Sequence, residues 1–328
     1  MIFHLVLNSL LVFFVLALLI ELFLFVFRIK NARLRTICRF FPILKLPFDL
    51  LVFSFYGENL FVNLNPFSCE VFLQEFITKL LPMGETPTII PQYIAGHIPS
   101  VYYKLLTGGI AFLSLGIIGR KAVQLMRSRS YLKKILLSST PCLQLITNGP
   151  LRNKLENQRA RIMISEEIQV PFAAGLRYIL FPRHLLERLS QEEFETVIAH
   201  ELEHLCWKDP MLKLISSITC SLFWWIPTHW WLKRLETDQE CASDLGIHKF
   251  DMDSLDLASA FVKTAKNCTA MPLEMAAMSA FASKGHSHAS RLENIVNSQK
   301  VACGHWVKLK FAVGIGMCLC AFICFWIC

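Results

Sequence analysis

Charge is scarce in this sequence: 18% of its residues are charged, against 54% that are hydrophobic. That balance excludes an ordinary soluble protein and points to the membrane class. A disulfide framework is missing too. Of 12 cysteines, only Cys69 falls in a stretch that reads as an outside loop. Cys142, Cys206, Cys241, Cys268 and Cys303 fall where a reducing cytosol is expected, and Cys318, Cys320, Cys324 and Cys328 fall in an apolar run. The first apolar run has neither a basic n-region nor a small-residue cleavage site, so it reads as an anchor and not a removable signal. Internal repeats and low-complexity linkers are absent. The formal charge of +8 would suit nucleic acid, but the basic residues cluster beside apolar segments. Nucleic acid is therefore not an expected partner, and the lipid bilayer is.

Long apolar runs are what the chain has instead. Residues 3–27 carry only Glu21 and are long enough to span a bilayer as a helix. Arg28, Lys30, Arg33, Arg35 and Arg39 follow, marking the cytoplasmic side. A shorter run covers 40–56, and a third covers 98–119. Gly57 to His97 holds Lys79 against Glu58, Glu70, Glu75 and Glu85, as suits an outside loop. Arg120, Lys121, Arg127, Arg129, Lys133 and Lys134 mark the cytoplasm again. The last run, 311–328, ends the chain inside a span. The expected organisation is a membrane region over 1–119, a cytoplasmic domain over 120–306 and a C-terminal span.

Within 120–306, Arg120 to Leu137 reads as a basic helix. Leu143 to Thr147 reads as a strand, closed by the turn signal Asn148-Gly149-Pro150. Arg161 to Ser165, Ile168 to Phe172 and Tyr178 to Phe181 are β-prone runs. Pro171 and Gly175 suit an edge strand or a bend. Ser190 with Glu193 forms a capping box, and Phe194, Val197, Ile198, Leu202 and Leu205 recur at helical spacing behind it.

That helix carries His200-Glu201-Leu202-Glu203-His204. Four residues apart on a helix, His200 and His204 project from one face, as two zinc ligands must. Glu201 is rotated by about 100° from His200, so it reaches a water on the metal without ligating the metal itself. A catalytic zinc needs a third protein ligand. Glu240, in Glu240-Cys241-Ala242-Ser243-Asp244, is the best candidate, with Glu236 as competitor. Asp244, one turn on, is placed to orient a ligand histidine. Asp209 reads equally as a further orienting partner or as a helix-end acid. Cys206 and Cys241 are turned to other helix faces and read as packing residues.

The apolar stretch 211–231, rich in tryptophan, cannot simply cross the membrane, because His204 and Glu240 must meet at one metal. It should reverse near Ile226-Pro227-Thr228 as a re-entrant or interfacial hairpin, with Trp224, Trp225, Trp230 and Trp231 at interface level. Further on, His288 reads either as an oxyanion stabiliser or, like His286, as part of a polar loop before Arg291.

With these residues in view, the chain resembles the BlaR/MecR-type membrane metallopeptidases, bacterial sensor-transducers. The resemblance is carried by Ile168 to Gly175, Leu180-Phe181-Pro182, Ala199 to Leu205 with Asp209-Pro210, Phe223 to Pro227, and Glu240 to Asp244. It implies a multi-span α-helical membrane protein with a cytoplasmic α+β domain of gluzincin type. It implies one Zn2+ held by His200, His204 and Glu240, with Glu201 as base. It implies a protein or peptide substrate paired to an edge strand at Ile168, Val170 and Phe172, within about 167–174. It also implies a multi-pass place in a bacterial-type plasma membrane, with the site facing the cytoplasm. Some related membrane peptidases of the HtpX and CAAX-processing type use a late histidine followed by an arginine, a part open to His288 and Arg291. The antibiotic sensors carry a penicillin-binding domain after the last span. This sequence shows none, and Ser130-Tyr131-Leu132-Lys133 matches that domain's SxxK pattern by chance. A separate sensor protein or the outside loop is then the expected input.

Two other functions compete: a catalytically silent signalling module, and an HtpX-like quality-control protease. Glu201 argues against the silent module, since a bare metal scaffold does not need that acid. A structural zinc site would fill four positions with Cys and His, and this spacing offers three good ligands. A transporter would place polar residues in its spans, and the clearest spans here carry few.

Overall fold

The computed structural model describes residues 2–64 and 100–267. Most of the expected outside loop, the last span 311–328, His286, His288 and Arg291 lie outside the described residues.

Three long helices come first: α1 (Ile2–Val26), α2 (Ala32–Leu64) and α3 (Ser100–Ser138). The runs 3–27, 40–56 and 98–119 fall on them. Among the described residues, one stretch is long and apolar enough to cross a membrane, Gly108–Ser138 of α3, and Val12–Val26 is a shorter apolar stretch. α3 does not stop at residue 119. The basic segment that follows continues the same helix.

A small α+β unit follows. β1 (Thr140–Pro141), β2 (Arg161–Ser165), β3 (Phe172–Ala174) and β4 (Tyr178–Pro182) form one sheet in the order β1-β2-β4-β3. β2 and β4 are parallel, and the outer pairs are antiparallel. The hairpin from β3 to β4 turns through Gly175 at φ +60°, a conformation that costs other residues a steric penalty. Between β1 and β2, α4 (Gly149–Asn157) is capped by Asn148, whose side chain accepts the Leu151 N–H, and Pro150 sits in its first turn.

Two sequence expectations are corrected here. Leu143 to Thr147 is not a strand: Leu143–Leu145 is a short 3-10 turn leading to the Asn148 cap. The edge strand is also shorter than 167–174. Ile168 and Val170 precede it, and only Phe172 of the three named positions lies in β3. Proline at 171 has no N–H to donate to a ladder, so pairing starts after it. Ile168 instead turns inward, 1% exposed, against Leu180 and Ile135.

β4 alternates between two cores, as a central strand covered on both faces must. Ile179 and Phe181 face one way, joining Phe194, Ile198 and Leu202 of α6 (Gln191–Cys206). Leu180 faces the other way, against Ile135 near the end of α3. Phe181 and Phe194 meet edge to face at 4.9 Å. After the short α5 (Arg183–Leu186), α6 begins at Ser190, which caps it with the full reciprocal box to Glu193.

The apolar stretch after α6 does reverse. α7 (Asp209–Leu222) ends in a turn at residues 223–228, and α8 (His229–Gly246) returns to α6. The tryptophans are tied inward. Trp224 donates to Ser114 Oγ of α3 and Trp225 to Ser9 Oγ of α1, both at 3.0 Å. Trp231 is fully buried and donates to the Arg39 carbonyl at 2.7 Å. Phe13, Leu34, Ile43, Phe223, Ile226, Trp231 and Leu235 form one core, so α1 and α2 pack with the helix that carries Glu240. α9 (Ser254–Asn267) closes the unit against α6.

Candidate metal centre

His200 and His204 lie on the inner face of α6, 5% and 6% exposed, and Glu240 comes from the middle of α8. The two imidazole Nε2 atoms are 3.2 Å apart. Glu240 Oε2 lies 3.7 Å from one and 3.8 Å from the other. Among the described residues these three form the one group of four-type ligands that converges, with one ligand atom from each within 4.8 Å of the others.

The opposite ring nitrogens show what such a group is for. His204 Nδ1 lies 2.8 Å from Asp209 Oδ2, and His200 Nδ1 lies 3.0 Å from Asp244 Oδ1. A carboxylate at that distance favours the tautomer with an Nδ1–H to donate, in which Nε2 keeps its lone pair. Two bare nitrogens and a carboxylate oxygen then face one point with no donor among them. A cation resolves that conflict. Ligands about 2.0–2.1 Å from a tetrahedral zinc stand roughly 3.3 Å apart, so the Nε2 separation fits zinc, and the donor set of two imidazoles and one carboxylate suits it. The electrostatics agree. Burial disfavours an imidazolium at His204, yet the Glu240 carboxylate and the Asp209 hydrogen bond outweigh burial and hold its pKa above the ordinary range. The position asks for positive charge.

Asp209 is 1% exposed. Burial pushes its carboxyl up, but His204 and Arg33 outweigh that and hold it below the usual carboxylate range. Arg33 Nη1 donates to Asp209 Oδ2 at 2.9 Å and Nη2 donates to Ser243 Oγ at 2.8 Å. Gln239 donates to the other Asp209 oxygen at 3.3 Å. Lys213 Nζ lies 3.5 Å from Glu240 Oε1, the oxygen turned away from the histidines. Glu201 occupies the same turn of α6 as the histidines and is 8% exposed.

The sequence residues thus separate clearly. His200, His204, Glu240, Asp209 and Asp244 are brought together, with Glu201 beside them. Glu236 is not in the convergent group; with Lys121, Lys213, Ser216 and Gln239 it lines a neighbouring cavity of about 250 Å³. Cys206 packs on the main core as expected. Arg33, Ser243, Gln239 and Lys213 were not anticipated. Ser243 sits inside the Glu240 to Asp244 segment, and its place one residue before Asp244 is the only local signal. Arg33 read as a topology marker, and nothing nearby in the sequence pairs it with Asp209.

A family model described as BlaR1 peptidase M56 matches residues 103–294. That range takes in α3, the sheet, and both helices that supply the convergent residues. No curated protein matches the chain. With more than half of its length matched, this chain belongs to the BlaR1 peptidase M56 family.

Proposed function

We propose that this peptidase is a zinc-dependent endopeptidase embedded in a membrane, with His200, His204 and Glu240 as ligands and Glu201 as general base. The observation that carries the reading is the convergence of two Nε2 atoms and Glu240 Oε2, with Asp209 hydrogen-bonded to His204 Nδ1 and Asp244 Oδ1 lying 3.0 Å from His200 Nδ1. Zinc, when bound, supplies a Lewis acid that makes water a nucleophile near neutral pH. The chain's own residues do the rest. Asp209 and Asp244 fix the tautomer and angle of the two imidazoles. Lys213 engages Glu240 Oε1 and leaves Oε2 toward the histidines. Glu201 accepts a proton from the attacking water and returns it to the departing amine. The outer edge of β3, Phe172–Ala174, which no other strand of the sheet pairs with, offers backbone groups to an extended substrate.

Membrane embedding rests on exposed apolar side chains along two helices. Leu18 and Phe25 of α1 are 70% and 80% exposed, and Phe112 and Leu115 of α3 are 82% and 69% exposed. Surfaces of this kind suit lipid, not water. The substrate in this reading is a cytosolic or membrane-proximal protein in a regulatory cascade, with the signal received by a separate sensor protein or by the segment expected outside the membrane, about residues 57–97.

The test is metal content and proteolysis of the detergent-purified protein. Wild type should hold one zinc per chain. Glu201→Ala should keep the metal and lose cleavage of itself or of a casein-type substrate by a factor of about 100 or more. Glu240→Ala should bind zinc more weakly. Equal cleavage by wild type and Glu201→Ala would remove the proposed base. Absence of zinc from wild type would end the reading.

A further inference from the structure

We propose that Arg33 is a positioning residue of the metal centre, so that α2 belongs to the zinc site although the matched family region begins only at residue 103. The inference rests on the zinc reading above.

Four observations carry it. Arg33 is 9% exposed, and its two terminal nitrogens divide between α7 and α8: Nη1 donates to Asp209 and Nη2 to Ser243. Both of those groups meet the same atom, His204 Nδ1, Asp209 at 2.8 Å and Ser243 Oγ at 3.2 Å. The guanidinium also lies over the Trp207 ring, 5.1 Å from its centroid, one turn from His204. Finally, Asp209 is a carboxylate with 1% exposure, and such a charge is costly to bury without an opposite one. Arg33 is the cation that meets it.

The geometry gives Arg33 a definite task. A neutral His204 has one N–H on this side, and two acceptors, Asp209 and Ser243, compete for it. Arg33 occupies a lone pair on each. The remaining Asp209 lone pair then faces Nδ1–H, and Nε2 is presented to the metal. The planar fork of arginine serves both acceptors at once, while a lysine ammonium is a point charge without that geometry.

Arg39 provides a matched comparison. It lies on the same helix and is 5% exposed. Its side chain is bound to Glu21 and Asp238, neither of which belongs to the convergent group. A merely structural role for Arg33 would make the two arginines equivalent.

The experiment uses the full chain in detergent. Zinc affinity is read by competition with a chelator of known affinity, and site geometry by the absorption spectrum of the cobalt-loaded protein. Arg33→Met should weaken zinc by about 10–100-fold, the usual loss when an outer partner of a ligand is removed, and should shift the cobalt spectrum. Arg33→Lys should fall between Arg33→Met and wild type. Arg39→Met should lower the melting temperature but bind zinc as wild type does. In an Asp209→Asn background, Arg33→Met should cost less than about two-fold more, because the two residues act as one unit. Wild-type affinity in Arg33→Met overturns the proposal. So does an undiminished effect in the Asp209→Asn background, or an equal loss in Arg39→Met. If Arg33→Met does not fold, Arg33→Lys decides: wild-type affinity and spectrum there overturn it. A wild type that binds no zinc defeats the underlying reading, an outcome distinct from all of these.

Discussion

At the scale of single residues, Gly246 shows how closely the two metal helices are set. A Cβ placed there would stand 2.4 Å from Glu203 Cγ and 2.7 Å from Glu203 Cδ. Glu203 cannot easily move away, because it is 2% exposed and Lys249 holds its carboxylate at 2.7 Å. Gly246→Ala should therefore cost about 1–3 kcal/mol, the usual range for overpacking. Gly246 lies two residues beyond Asp244, so the shift should also loosen the His200 contact. Thermal melting with zinc titration checks both effects, and an unchanged melt would show that α8 slides freely on α6. Residue identity was legible in the sequence wherever one helix supplies the spacing: His200, Glu201 and His204 needed only their helical period. Arg33 and Asp209 are separated by 176 positions, and no periodicity links positions so far apart. That partnership is made by the packing of α2 on α7, which brings Arg33 to Asp209.

At the scale of elements, the helix α6 was readable from its start and its face. Its capping box and its apolar stripe are local features, and local features survive folding. β3 is shorter than the strand over 167–174 that the family resemblance implies, because Pro171 has no N–H for the ladder and Ile168 is drawn into a separate core. The reversal after α7 followed from a demand of chemistry, that Glu240 return to His204, more than from any turn signal. One element contact was not legible: α9 clamps the start of α6. Lys263 and Ser259 both bind the Glu193 carboxylate, Lys263 at 2.6 and 2.7 Å. Burial raises the Glu193 pKa, but Lys263, Ser259 and the Ser190 N–H outweigh it and place the pKa below its ordinary 4.5. A depressed folded pKa means stability that is present above the unfolded value and lost as pH falls through the folded one. Wild type should therefore melt above Lys263→Met near neutral pH, and the gap should close as pH falls below the ordinary carboxylate value. Melting curves across that range test it, and a gap independent of pH would remove Glu193 as its source.

At the scale of the whole molecule, the contacts around the candidate metal centre extend beyond the matched family region. α1 and α2 share a core with α8 through Phe13, Leu34, Trp231 and Leu235, and Arg33 and Arg39 reach buried acids at Asp209 and Asp238. A chain begun at residue 100 would expose that core and leave both acids without their cations. It should hold zinc poorly and be cut rapidly by an added protease, whereas the full chain resists. Metal analysis and limited proteolysis of the two purified forms measure this; equal protection would make the first two helices mere anchors.

The long helix α3 has a further consequence. Its 39 residues extend about 58 Å at 1.5 Å each, nearly twice the roughly 30 Å of a bilayer's hydrocarbon. Three rungs along it are occupied in order. Ser114 receives Trp224 from the turn after α7, Lys121 lines the cavity beside Glu240's neighbours, and Ile135 meets the sheet. Such a rod is a ruler: the turn after α7, the cavity wall and the sheet stand at fixed heights along it, and a tilt of α3 would shift all three together.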